Sequence, residues 1–254
     1  MPNEDPYQGQ TLLDINGLLD QDRLFSAIFA LLQRHASLRT GFIYESVEQP
    51  TAIVIDIENT QGFWQTYDLS NLTNEAADTR IIEIMANDIE QRFNLSEPPL
   101  IRFALIRRSA KRHHLLVTDH HIILDGWSMS TLWEELFTLY RDNRIQLPKP
   151  ATYKDYLTWL SEKNHEEAIR VWRSYLSGVD RPTLIAPGRE VHHIIPQTIS
   201  VFVPEQLKQA LMRTVLRLGL TLNSLMQIAW GMLLCHLTGR DDVLFGIAAK
   251  TYTK

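Results

Sequence analysis

His120-His121-Ile122-Ile123-Leu124-Asp125-Gly126 follows closely on the apolar run Leu115-Leu116-Val117, and the reading of the chain turns on that junction. A short apolar run bounded by polar residues fits a buried strand. The strand would run into two imidazoles, with an aspartate four residues beyond the second and a glycine next to it. A neutral imidazole takes a proton from a nucleophile near pH 7, because its unperturbed pKa is about 6.5. Paired histidines at a strand end are also an ordinary structural feature, so the pair alone does not establish chemistry. A carboxylate in an apolar setting needs a partner, and Asp125 is therefore expected to anchor its loop through an ion pair and to orient the histidines. Arginine is the natural counter-ion, and Arg39, or else Arg34, is the candidate.

Working outward, the flanking sequence alternates strands and helices. Leu100 to Arg107 and His113 to Thr118 read as strands joined by the polar turn Ser109-Ala110-Lys111-Arg112, which predicts an antiparallel pair. After the histidines, Ser128 to Arg141 is amphipathic, with Leu132, Trp133, Leu136, Phe137 and Tyr140 on one side and Ser128 expected as N-cap. Toward the start, Gln10 to Ile15 reads as a strand, and Asp20 to His35 as a helix with Leu24, Ala27, Ile28, Leu31 and Leu32 at helical spacing. Arg39 to Tyr44 and Thr51 to Ile57 are strand-like, and Asn74 to Phe93 is helical with Ile81, Ile82, Met85 and Ile89 on one side. Downstream, Thr152 to Lys163 and Glu166 to Leu176 read as helices, and the Pro- and Gly-punctuated stretch from Pro182 to Gly188 reads as a linker. His193 to Val203 and Val243 to Ala248 are strand-like, and Pro204 to Leu218 and Leu222 to Leu237 helical. The expected division is a lobe over 1–180, a linker over 181–190 and the beginning of a second lobe over 191–254.

With 254 residues, 44% hydrophobic and 22% charged, the chain has the composition of folded globular protein. A net charge of −5, with no basic run longer than Arg107-Arg108 or Lys111-Arg112, argues against a nucleic-acid partner. The single Cys235 excludes an internal disulfide and, within an apolar run, reads as a core residue and not a nucleophile. No uninterrupted apolar segment approaches the roughly 18 residues of a membrane span, and no charged leader precedes an apolar stretch, so a cytoplasmic location is expected. The pairs His113-His114 and His192-His193 place neighbours on opposite faces of a strand, so neither forms a two-ligand metal site, and no metal is expected.

Arg34-His35-Ala36-Ser37-Leu38-Arg39-Thr40-Gly41-Phe42, followed by His120-His121-Ile122-Ile123-Leu124-Asp125-Gly126-Trp127-Ser128, resembles two core motifs of the condensation domains of nonribosomal peptide synthetases. Those domains belong to the chloramphenicol acetyltransferase-like superfamily. Further matches follow in the family's order at 153–159, 168–176 and 237–246. Against such domains, which are nearly double this length, the chain is expected to be truncated at both ends. The resemblance implies an α/β (α+β) two-layer sandwich, with a complete or nearly complete N-terminal lobe and the start of the C-terminal one.

It also implies roles. His121 would face the reaction channel and position or deprotonate an acceptor amine, with His120 packing or hydrogen-bonding behind it. Asp125 would hold the loop through Arg39 or Arg34, where loss of one buried partner costs roughly 3 to 5 kcal/mol. Gly126 would let the backbone approach the acyl group and lend its N–H to an oxyanion, although a tight turn explains a glycine equally well. Ser128 lacks the Gly-x-Ser-x-Gly setting of a nucleophile. The implied reaction joins a donor acyl or peptidyl thioester to an acceptor aminoacyl thioester. Both are tethered by phosphopantetheine to partner carrier proteins of neighbouring synthetase domains, with no cofactor bound directly. The continuation from Asp125 to Tyr140 is similar to domains whose donor ends in a D-residue. Two alternatives stay open: a noncatalytic carrier-protein docking module, and a free-standing acyltransferase using coenzyme A thioesters.

Overall fold

The computed structural model describes residues 5–59, 61–188 and 200–247. They fall into two compact units, Met1–Lys163 and Asn164–Lys254. In the first unit the strands are β1 (Gln8–Asn16), β2 (Thr40–Ile43), β3 (Thr51–Val54), β4 (Trp64–Asp68), β5 (Ile101–Ser109) and β6 (Arg112–His120). Its helices are α1 (Gln21–Arg34), α2 (Asn74–Glu90), α3 (Gly126–Arg141) and α4 (Tyr153–Ser161). One sheet has the order β1-β6-β5-β4, and β2 pairs with β3 in a small second sheet.

The apolar run before the histidines is the middle of the main sheet. β6 pairs antiparallel with β1 on one side and, as the polar turn predicts, with β5 on the other. Every residue of β6 after Arg112 is buried. Alternation sorts the side chains by face. Leu115, Val117, Phe103 and Leu105 pack with α1 and α3, whereas Leu116, Ala104 and Ile106 pack with Ala77, Ile81 and Ile84 of α2. Both faces of the strand are covered by helices, which is why its sequence is apolar without interruption. α1 buries Leu24, Ala27, Ile28, Leu31 and Leu32, and Asp20 caps it by accepting from the Arg23 N–H. On α2 the buried stripe is Ala77, Ile81 and Ile84, while Ile82 is turned outward because it lies about 100° round the helix from Ile81. His113 and His114 are buried on β6, and burial, then the nearby Arg107, depresses the His113 pKa.

Strand β4 was not expected. Its sequence, Trp-Gln-Thr-Tyr-Asp, is short and largely exposed at the sheet edge, and its place is set by parallel pairing with β5 and not by an apolar pattern.

The second unit holds α5 (His165–Tyr175), α6 (Glu205–Leu218) and α7 (Leu222–Thr238). The first unit ends at Lys163, so α5 belongs to the second. Gly219 and Gly239 end α6 and α7 in the left-handed conformation. Trp172 and Tyr175 stand exposed on α5 with their rings edge to face, and Cys235 is half-buried. The strand expected over Val243 to Ala248 is irregular through 247, because no neighbouring strand among the described residues supplies a ladder. Of the strand expected over His193 to Val203, residues 193–199 lie outside the described residues, and 200–203 are irregular. Among the described residues no single helix is long and apolar enough to cross a membrane.

Candidate active site

The two histidines part company at the end of β6. His120, the last residue of the strand, turns to the α2 side: it is buried, its Nε2 lies 3.2 Å from Asp5 Oδ2, and its Nδ1 accepts the Ile122 N–H at 3.1 Å. The rings of Tyr7 and Phe93 flank it. His121 turns the other way. Its main-chain N–H donates to Tyr7 O at 2.7 Å, and its side chain is 51% exposed. One ring is fully engaged and the other is free to meet a second molecule.

His121 opens onto a cleft of about 580 Å³ within the first unit, in the range typical of small-molecule sites. Its walls include Arg34, His35, Ile123, Asp125, Tyr153 and Tyr156. Arg34 and His35 end α1, and both engage Glu135 of α3, Arg34 Nε at 2.9 Å and His35 Nε2 at 2.6 Å from Oε2. Burial by itself would raise the Glu135 pKa, but hydrogen bonds from Arg34 and His35 outweigh it and hold the carboxyl below its usual range. The tyrosines come from α4, which starts at a capping box between Thr152 and Asp155, and their rings stack with centroids 5.6 Å apart. Neither α4 nor Glu135 stood out in the sequence as part of a site, since each becomes one only through the packing of helices around the strand end.

The expected ion pair of Asp125 with Arg39 or Arg34 does not form. Asp125 is the N-cap of α3: its Oδ1 accepts the Ser128 N–H at 2.8 Å and the Ser128 hydroxyl at 2.6 Å. Those bonds lower its pKa, the hydroxyl contributing most. Arg39 Nε donates instead to Leu32 O at 2.8 Å, and its guanidinium also reaches Ile55 O. Arg34 is held by Glu135 and by Pro148 O. The physical reason is local competition, because the free N–H groups at the start of α3 lie in the same turn as Asp125 and need an acceptor. Ser128 is accordingly a donor inside the first turn and not the cap. Gly126 is the first residue of α3, and a Cβ placed on it would meet nothing within 4 Å, so space beside its backbone is open.

Asp119 was missed. It is buried at 3% exposure near the end of β6, and its Oδ2 lies 3.4 Å from His121 Nδ1. That atom has no hydrogen-bond partner. Burial pushes the Asp119 carboxyl above its ordinary range, and His121, with a smaller effect of His120, draws it partly back. The signal available in the sequence was an acidic residue only two positions before His121.

Among the described residues no group of three or more His, Cys, Asp and Glu side chains is arranged to hold a metal ion. Comparison with known proteins gives a consistent result. The sequence model of the family described as Condensation domain matches residues 1–251. Bacitracin synthase 3 of Bacillus licheniformis is 30% identical over 251 residues, covering 95% of this chain and 4% of that protein. Gramicidin S synthase 2 of Brevibacillus brevis is 28% identical over 244 residues, covering 93% of this chain and 5% of that one. Among solved structures, the first condensation domain of the calcium-dependent antibiotic synthetase superposes with a TM-score of 0.72 at 20% identity, over 93% of this chain and 57% of that one. The starter condensation domain of rhizomide synthetase gives 0.72 at 17% identity, over 97% and 57%. The chain thus spans little more than half of these structures and a small fraction of the synthetases.

Proposed function

The chain belongs to the condensation-domain family, and on that premise we propose that it serves amide-bond formation between two carrier-bound thioesters. The donor is an acyl or peptidyl thioester and the acceptor an aminoacyl thioester, and each arrives on the phosphopantetheine arm of a partner carrier protein. The relatives named as bacitracin and gramicidin S synthases support an assembly-line peptide of antibiotic type as the product.

The observation that carries the reading is the emergence of the half-exposed His121 ring, just past the buried end of β6, into a cleft walled by α1, α3 and α4. The acceptor amine attacks the donor carbonyl carbon, a C–N bond forms, and the C–S bond of the donor thioester breaks. The amine proton passes to His121 and then to the departing thiolate. His120 holds the chain behind it through Asp5 and Ile122. Asp125 fixes the start of α3, whose Gly126 N–H has no intrahelical carbonyl to meet and is offered to the transient oxyanion.

The full chain is to be supplied with donor- and acceptor-loaded carrier proteins and the products read by intact mass spectrometry. The expected result is amide product that falls about 10²- to 10⁴-fold in His121→Ala, the usual worth of a positioned base. Carrier binding without product would replace this reading with a docking module, and turnover of coenzyme A thioesters alone would replace it with a free-standing acyltransferase.

A further inference from the structure

The geometry points to Asp119 as the residue that sets the tautomer and orientation of the His121 ring, a positioning role that rests on the amide-forming reading above. Asp119 is the penultimate residue of β6 and His121 the first residue of the turn that follows, and the turn brings the two side chains together. Asp119 Oδ2 is buried, has no hydrogen-bond partner, and lies 3.4 Å from His121 Nδ1. Hydrogen bonds of catalytic groups are often long without substrate and tighten when it binds.

Strand β1 supplies the other half of the arrangement. Gly9 is directly opposite Asp119 in the ladder. A Cβ at Gly9 would stand 3.0 Å from His121 Cε1 and 3.6 Å from Asp119 Oδ1. The ring therefore leans over the one position of β1 that carries no side chain, and the His121 N–H bond to Tyr7 O holds its backbone there. Glycine, carboxylate and imidazole form one built unit.

A buried carboxylate oxygen without a hydrogen bond costs stability, and a group retained at such cost is a functional candidate. Here the donor it faces is the ring. A histidine keeps its proton on the nitrogen that has an acceptor. With the proton on Nδ1 toward Asp119, the lone pair of Nε2 is presented to the cleft. When Nε2 takes the amine proton, the resulting imidazolium faces a carboxylate in a poorly hydrated setting, where opposite charges attract more strongly than in water. His120 and its partner Asp5 lie on the other face of the strand and do not compete for Nδ1.

The test reads the tautomer directly. The full chain is labelled with 15N-histidine, and the His121 signals are assigned by their loss in His121→Gln, at a pH where the ring is neutral. The expected result is a protonated Nδ1 and an unprotonated Nε2 in the parent chain. In Asp119→Asn, where the side-chain amide can donate to Nδ1, the proton moves to Nε2, and in Asp119→Val, where no acceptor remains, the ring shifts to the Nε2–H form that water favours. Both variants should melt at or above the parent temperature, because each removes a buried charge, whereas loss of a merely structural contact would lower it. A proton on Nε2 in the parent, or the parent tautomer retained in both variants, would overturn the assignment. This readout needs no turnover. A tautomer that moves while loaded carriers give no product would sink the amide-forming reading and leave Asp119 in place.

Discussion

At the scale of single residues, the candidate site is a matter of which neighbour each polar group finds first. Asp125 shows this most plainly, since a cap on its own helix displaces the arginine that the sequence suggested. The consequence for mutation is specific. Asn caps a helix about as well as Asp, while Ala removes the acceptor at a cost of about 1 kcal/mol. Asp125→Asn is therefore expected to leave the melting curve almost unchanged and Asp125→Ala to lower it, as calorimetry would show. A large loss in Asp125→Asn would restore the ion-pair reading. The split between the histidines was legible through the resemblance of the motif, which gave His121 to the channel and His120 to the packing behind it. Asp119 was not legible in the same way, because its approach to His121 depends on the turn that follows β6.

At the scale of elements, α1 and α3 are joined at the cleft by the cluster of Arg34, His35 and Glu135. Hydrogen bonds to a charged group contribute about 1.5 to 3 kcal/mol, and Glu135→Gln is expected to lose roughly that much by urea denaturation near pH 7. The pH dependence follows from the direction of the shift. A carboxyl held below its ordinary 4.5 stabilises the fold above that pH, and the contribution fades as pH falls through the depressed value. The gap between parent and Glu135→Gln should therefore close in acid, and a gap that stays constant would count against the cluster. Helix α1 could be read from period and cap together and α3 from its period alone, since their apolar residues repeat on one face. Strand β4 could not, because parallel pairing at a sheet edge leaves no apolar signature in five residues.

At the scale of the whole molecule, burial is concentrated in one unit. Of the buried apolar residues described, the second unit contributes only Val215 and Leu234. Protection against hydrogen exchange rises with local burial and hydrogen bonding. Amides of β5 and β6 should exchange slowest, and those of α5, α6 and α7 markedly faster, as mass-resolved exchange would report. Equal protection in both units would refute the contrast. The α/β class was open to sequence reasoning because alternation and helical spacing are local signals, whereas the cleft depends on which helices meet at one strand end. The pairing of β1 with β6 carries a kinetic consequence. Asp5 meets His120 across 115 residues of sequence, and β1 with Tyr7 and Gly9 backs the reactive ring. Distant pairings close slowly. In synthesis the strand β1 emerges long before β6 and must wait for it, so the His121 ring takes up its place beside Gly9 only once the two ends of that span have joined.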